Sequence, residues 1–193
     1  HTKPVDFDEA LAKRIANGDF DKLDIFIIGT IMPPPQALLK MAEMSDKGDF
    51  GYHTSWYGPL ERMLASKKVI DFIPIQFQDG TALRKEPLRD RGFERDVTVI
   101  RATTMDKHGN FNFGITNAGT KVDLLNSKIK IVEVNSKFPT VLGGVDESVH
   151  LDDIDFIIES SNQDMFCIPH MEPEDVEIKI AENIIPLIKN GAC

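Results

Sequence analysis

The sequence predicts an α/β fold with an open, mostly parallel sheet and helices on both faces. Three observations carry this. Short β-rich apolar runs recur at residues 23–28, 70–77, 96–102, 129–134 and 154–158. Segments with helical spacing of apolar residues alternate with them, which is the pattern of a mostly parallel sheet covered by helices. No internal repeat, low-complexity tract or linker interrupts the 193 residues, so one domain is expected.

Each element has its own signal. Asp6-Phe7-Asp8-Glu9 carries the pattern of a capping box, with Phe7, Leu11 and Ile15 following at helical spacing and Gly18 as the stop. Leu23–Ile28 reads as a strand closed by Gly29. Pro33-Pro34-Pro35 cannot extend a sheet ladder, because three successive residues lack an amide donor. The last of them suits the first turn of a helix through Ala37, Leu38 and Met41. A further helix is expected from Pro59 to about Lys67, then strands over residues 70–77 and 96–102, the second showing the alternation Val97, Val99. Residues 118–127 read as helix, and Ile129–Val134 and Ile154–Ile158 as strands. The final helix is expected from Pro173, with Glu174 and Asp175 beside its positive end and Val176, Ile180, Ile184 and Ile188 as one apolar stripe. Pro186 lies inside that stripe and predicts a kink or an early end before Gly191.

Composition narrows the function classes. With 22 basic against 31 acidic residues, a net charge of −9 and no basic patch, nucleic acid is not an expected partner. Two cysteines, Cys167 and Cys193, make no disulfide framework, so a reducing compartment is the default. The apolar runs are too short to span a bilayer, and no basic-then-apolar leader follows His1, so the expectation is a cytoplasmic protein without a membrane partner. His1 at the start and Gly191-Ala192-Cys193 at the end read as cut ends. The histidines His1, His53, His108, His150 and His170 lack metal-site spacing, and no metal is expected. Dinucleotide, Walker, zincin and nucleophile-elbow motifs are absent from the sequence.

The informative segment runs from Thr103 to Gly114. A buried strand ends at Ala102, a polar turn with Asp106 and Gly109 follows, and Phe111 and Phe113 then alternate as in a strand. Segments just beyond the carboxyl ends of parallel strands are where open α/β sheets bind ligands. The competing reading is a tight hairpin in which Asp106 takes backbone amides and Gly109 adopts a positive φ.

These residues, continued by Lys130-Ile131-Val132-Glu133-Val134-Asn135 and Pro139, resemble the acetyl-CoA hydrolase/4-hydroxybutyrate CoA-transferase family, in which a D-x-H-G-x-x-x-x-G turn precedes a strand ending V-E-V-N. The segments His150–Glu159 and Leu187–Ala192 are similar to the same family, as is His53-Thr54-Ser55-Trp56-Tyr57-Gly58-Pro59 with Arg62. The resemblance is strong from Asp96 to Cys193 and looser before Asp49. The stretch Asp79–Arg95 is poorer in apolar residues than its usual counterpart. The family begins with a helix and strand ahead of His1 and continues past Ala192 into a second α/β half.

The resemblance implies that residues 1–193 are an N-terminal CoA-transferase domain, with the catalytic half outside them. It implies a ping-pong transfer of coenzyme A between an acyl-CoA and a small carboxylate, through a glutamyl-CoA thioester whose glutamate belongs to that second half. No residue of this chain is then assigned a catalytic role, and Glu133 and Glu159 read as structural. The coenzyme A thioester is substrate, and no permanently bound cofactor is implied. Implied partners are the C-terminal half and further copies of the enzyme. Expected to line the acyl and CoA cleft are His53, Thr54, Ser55, Arg62, Thr104, Met105, Asp106, His108 and Asn135. Each also has a structural reading, as a loop brace or a partner of a neighbouring acid. A non-catalytic ligand-binding or regulatory α/β module is the alternative function.

Overall fold

The computed structural model describes residues 3–30, 33–77, 79–80, 95–165, 167 and 169–192. His1, Cys193 and most of the apolar-poor stretch 79–95 lie outside them. Three parallel strands, β1 (Lys22–Ile27), β2 (Asp49–Thr54) and β3 (Ile70–Phe72), form one sheet in that order. A second parallel sheet runs β4 (Arg95–Ala102), β6 (Ser127–Val134), β8 (Phe156–Glu159). A short antiparallel ribbon pairs β5 (Asn110–Asn112) with β7 (Ser148–His150). The fold is thus α/β and mostly parallel, as expected, although its strands fall into two three-stranded sheets.

Period-two alternation decides what the first sheet buries. Phe50, Tyr52 and Thr54 of β2 point to one face, where Ile15 of α1 (Val5–Ala16), Leu38 and Met41 of α2 (Gln36–Glu43), and Leu60 and Leu64 of α3 (Pro59–Leu64) close a core. The other face is polar: Lys22, Asp24, Asp49, His53 and Asp71 occupy the intervening positions. This composition concealed β2 from sequence reading, because only two large apolar residues alternate with polar ones. β3 ends at Phe72, earlier than the apolar run predicts, and Pro74, without an amide, cannot extend it.

The second core gathers Ile100, Ala102 and Val132 of the sheet, Phe111 and Val149 of the ribbon, Phe113, and Leu124 of α4 (Thr120–Leu125). The end of α1 is as predicted, with Gly18 at φ +78°. Its start is not. Pro4 is the N-cap and supplies no side-chain bond; Asp6 and Asp8 lie inside the first turn. The cap comes from 126–128 residues away: Glu133 of β6 accepts from the amides of Val5 (2.7 Å) and Phe7 (2.8 Å). A helix start leaves amide donors unpaired and carries positive charge, so a carboxylate fits there. Asp8 repeats the device for α2, accepting from Gln36 (2.8 Å) and Ala37 (3.0 Å) while paired with Lys3 (2.8 Å). The helix α5 (Asp175–Ile184) ends where a 3-10 turn containing Pro186 begins, as the proline predicts, and residues 169–192 that are described are all exposed.

Candidate functional site

The carboxyl ends of β1 and β2 lie side by side, because Ile27 pairs with Thr54 in register. Thr54 is fully buried, and its hydroxyl sits between the amide (3.2 Å) and the carbonyl (3.1 Å) of Trp56. Ser55 donates to the Ile28 carbonyl (3.2 Å), tying the two strand ends together. Ser55 also lines a shallow cleft with Phe26, Ile28, Ile75, Gln76 and Phe77. His53 is one residue before Thr54 and so points to the polar sheet face. There its ring bridges Asp24 of β1 and Asp71 of β3, each at 3.0 Å, away from the strand-end loop. Gly51 makes room for this bridge, since a Cβ there would lie 2.2 Å from the Asp24 carboxylate.

One buried acid organises this end of the sheet. Glu61, fully buried on α3, accepts from Thr30 Oγ1 (2.6 Å), the Tyr52 hydroxyl (2.7 Å) and the Gly58 amide (2.9 Å). Three segments thereby converge on one carboxylate, and burial raises the Tyr52 hydroxyl above its ordinary pKa. Arg62 is exposed on the next position of α3. Glu61 is thus engaged elsewhere and is not its partner.

The ends of β4 and β6 form the second part. The Asn135 amide donates to the Ala102 carbonyl (3.0 Å). The buried Asn135 side chain accepts from Lys137 N (2.8 Å) and donates to the Gln163 carbonyl (3.1 Å). Buried Arg101 also donates to Gln163 (3.0 Å); burial lowers its guanidinium pKa, against the pull of Glu133 and Asp6. Thr104 and Met105 emerge exposed beyond β4. Asp106 then holds the turn, accepting from the amides of His108 and Asn110 at 2.8 Å each. The Asn110 amide is the chief reason its carboxyl lies below the ordinary 3.8. Gly109 has φ +83°, as the hairpin reading requires, and His108 is exposed. Among the described residues no group of three or more His, Cys, Asp or Glu could hold a metal ion. No helix among them is long and apolar enough to cross a membrane.

Of the expected cleft residues, Thr54, Ser55, Asp106 and Asn135 have side chains already bonded within the fold. Arg62, Thr104, Met105 and His108 are exposed, and His53 belongs to the sheet face. Sequence reading missed Glu61, whose signal was an acid three residues into a helix opened by Gly-Pro. It also passed over Trp56, an aromatic two residues past the end of β2.

Two parallel sheets with polar loops at their carboxyl ends define an α/β protein of the class whose ligands bind at that edge. Comparison with known proteins gives the family. Residues 56–169 match the acetyl-CoA hydrolase/transferase N-terminal domain, and the chain belongs to that family. It is 32% identical over 188 residues to a probable butyrate:acetyl-CoA coenzyme A-transferase of Syntrophomonas wolfei, covering 97% of this chain and 40% of that protein. It is 30% identical over 197 residues to the butyryl-CoA:acetate CoA-transferase of Anaerostipes caccae, covering 100% and 41%. The chain therefore spans about two fifths of the length of these relatives. Among solved structures, RipA from Yersinia pestis superposes with a TM-score of 0.78 at 23% identity, covering 98% of this chain and 43% of that one. That likeness concerns the fold alone.

Proposed function

We propose that this chain is the N-terminal part of an acyl-CoA:carboxylate CoA-transferase. The carrying observation is alignment along almost its whole length to two such enzymes, in each of which it spans about two fifths. The reaction is a ping-pong exchange. A glutamate carboxylate outside these residues attacks the thioester carbonyl and expels the CoA thiolate, leaving a mixed anhydride. The thiolate then attacks the glutamyl carbonyl and releases the first carboxylate. An incoming carboxylate reverses both steps. Oxyanions formed on the way need preorganised donors.

The role of this part is to supply one wall of the acyl-CoA cleft. Thr104, Met105, His108 and Arg62 of the expected set are exposed. The stripe Val176, Ile180, Ile184 and Ile188 on the segment of α5 is 51–64% exposed, which suits packing against further protein. The partners are an acyl-CoA, a small carboxylate and the second half of the enzyme, in the cytoplasm and as an oligomer.

The test uses the full-length protein with acetyl-CoA and butyrate, following butyryl-CoA formation. Exchange with a bound CoA thioester that hydroxylamine cleaves is expected. Absence of exchange across short-chain acyl-CoAs would sink the reading. The 193-residue chain alone is expected to be inactive. Saturable turnover by it, surviving further purification, would place a nucleophile within residues 1–193.

A further inference from the structure

The segment between β2 and α3 displays a large aromatic surface that the fold has taken care to hold still. Trp56, the single tryptophan of the chain, is 60% exposed. Its backbone is nevertheless fixed at both polar groups by the Thr54 hydroxyl. Its side chain is seated against two glycines. A Cβ at Gly29 would lie 3.0 Å from the Trp56 Cβ, and one at Gly58 would lie 2.7 Å from the indole Nε1. Gly58 is in turn held by buried Glu61. The next residue, Tyr57, pairs its ring with Phe72 at the end of β3, with centroids 5.3 Å apart, and both remain about two-fifths exposed. Three aromatic rings thus stand at the carboxyl ends of neighbouring parallel strands, where such sheets take ligands.

We propose that Trp56, with the Tyr57–Phe72 pair beside it, is a stacking platform for the adenine ring of the coenzyme A substrate. This rests on the acyl-CoA reading above. Within an acyl-CoA the adenine is the planar aromatic group, and a preorganised exposed ring can stack on it at reduced ordering cost. A short acyl chain needs an enclosed slot to leave water, which an indole open to solvent does not provide. Glu61 and Thr54 act as positioning residues, because they hold the loop and not the ring of the ligand.

The experiment compares the full-length wild-type protein with Trp56→Ala and Trp56→Phe. Each is assayed with an acyl-CoA and with the matching acyl-pantetheine, which lacks the adenine nucleotide. Calorimetric titrations with CoA and with pantetheine accompany the assays. Loss of one stacked ring predicts a roughly tenfold rise in KM for acyl-CoA and a similar loss of CoA affinity. The acyl-pantetheine KM should stay within about twofold, and Trp56→Phe should restore most of the difference. Equal losses with both substrates would overturn the proposal, since the surface would then meet the acyl arm or another part of the protein. So would unchanged CoA affinity in Trp56→Ala. A wild-type protein that exchanges no acyl group, yet loses CoA affinity on Trp56→Ala, would sink the transferase reading and leave the platform standing.

Discussion

Gly109 offers the sharpest test of how the Asp106 turn is built. Its φ of +83° is one that a Cβ disfavours by roughly 1–2 kcal/mol. A Cβ there would also lie 2.8 Å from the His150 Nε2 and 3.3 Å from its Cδ2. The contact is with the far edge of a ring, and the His150 side chain is 44% exposed, so the ring can swing aside. Doing so breaks its contacts with Asp152, at 3.3 Å to the amide and 3.2 Å to the carboxylate, which as surface interactions are worth under about 1 kcal/mol. Gly109→Ala should therefore cost about 2 kcal/mol, and about 1 kcal/mol when His150→Ala has removed the ring. Lys107→Ala, on an exposed neighbour, should stay within about 0.5 kcal/mol of wild type. Urea unfolding followed by far-UV circular dichroism measures all four variants. A cost for Gly109→Ala that is unchanged by His150→Ala would refute the contact. A cost indistinguishable from that of Lys107→Ala would refute the strained turn itself.

Two pH profiles follow from the buried and capped carboxylates. Asp106 is held below its ordinary 3.8, so its contribution to stability is present above that value and is lost as pH falls through the depressed one. Asp106→Asn should melt lower than wild type at neutral pH, with the gap closing in strong acid; a gap independent of pH would contradict the capping role. Glu133 has the opposite sign: burial raises its carboxyl above the ordinary 4.5, although the amides of Phe7, Val5 and Asp6 oppose this. Its stabilising contribution is therefore present below 4.5 and declines as pH rises through the raised value. Wild type should lose stability relative to Glu133→Gln over that interval, whereas Glu133→Ala should cost about 3 kcal/mol by leaving the first turn of α1 without its acceptor. Parallel melting profiles for wild type and Glu133→Gln would argue against the buried cap.

Elements whose signal is local were legible in the sequence. The strand Arg95–Ala102 and the helix after Pro59 have their periodicity and stop signals within a dozen residues, and both form close to the expected bounds. The helical break at Pro186 and the positive φ at Gly18, Gly109 and Gly191 are of the same kind. Illegible features depend on what lies opposite in space. Strand β2 escaped because one of its faces is polar, and a strand with Asp49, Gly51 and His53 on alternate positions does not read as a run. The cap of α1 escaped because its acceptor, Glu133, stands on β6. The local Asp-x-x-Glu pattern suggested a different start, and tertiary geometry overrode it.

The same remoteness separates the expected cleft residues by what their side chains do in the fold. Thr54, Asp106 and Asn135 stand near the carboxyl ends of strands, and a motif reading cannot tell whether their polar atoms are free. In the fold each is spent on backbone groups: Thr54 on Trp56, Asp106 on His108 and Asn110, Asn135 on Lys137 and Gln163. A side chain already bonded in this way loses those bonds if it turns toward a substrate, and leaves amides unpaired. It can shape a cleft but is poorly suited to bind within it. Under the acyl-CoA reading proposed above, recognition would fall to neighbours that these braces hold outward: Trp56 beyond Thr54, Thr104 and Met105 ahead of Asp106, and His108 on its turn. A polar side chain bonded in this way, whether buried like Thr54 and Asn135 or exposed like Asp106, is suited to positioning, and the exposed residue next to it is the one left able to meet a ligand.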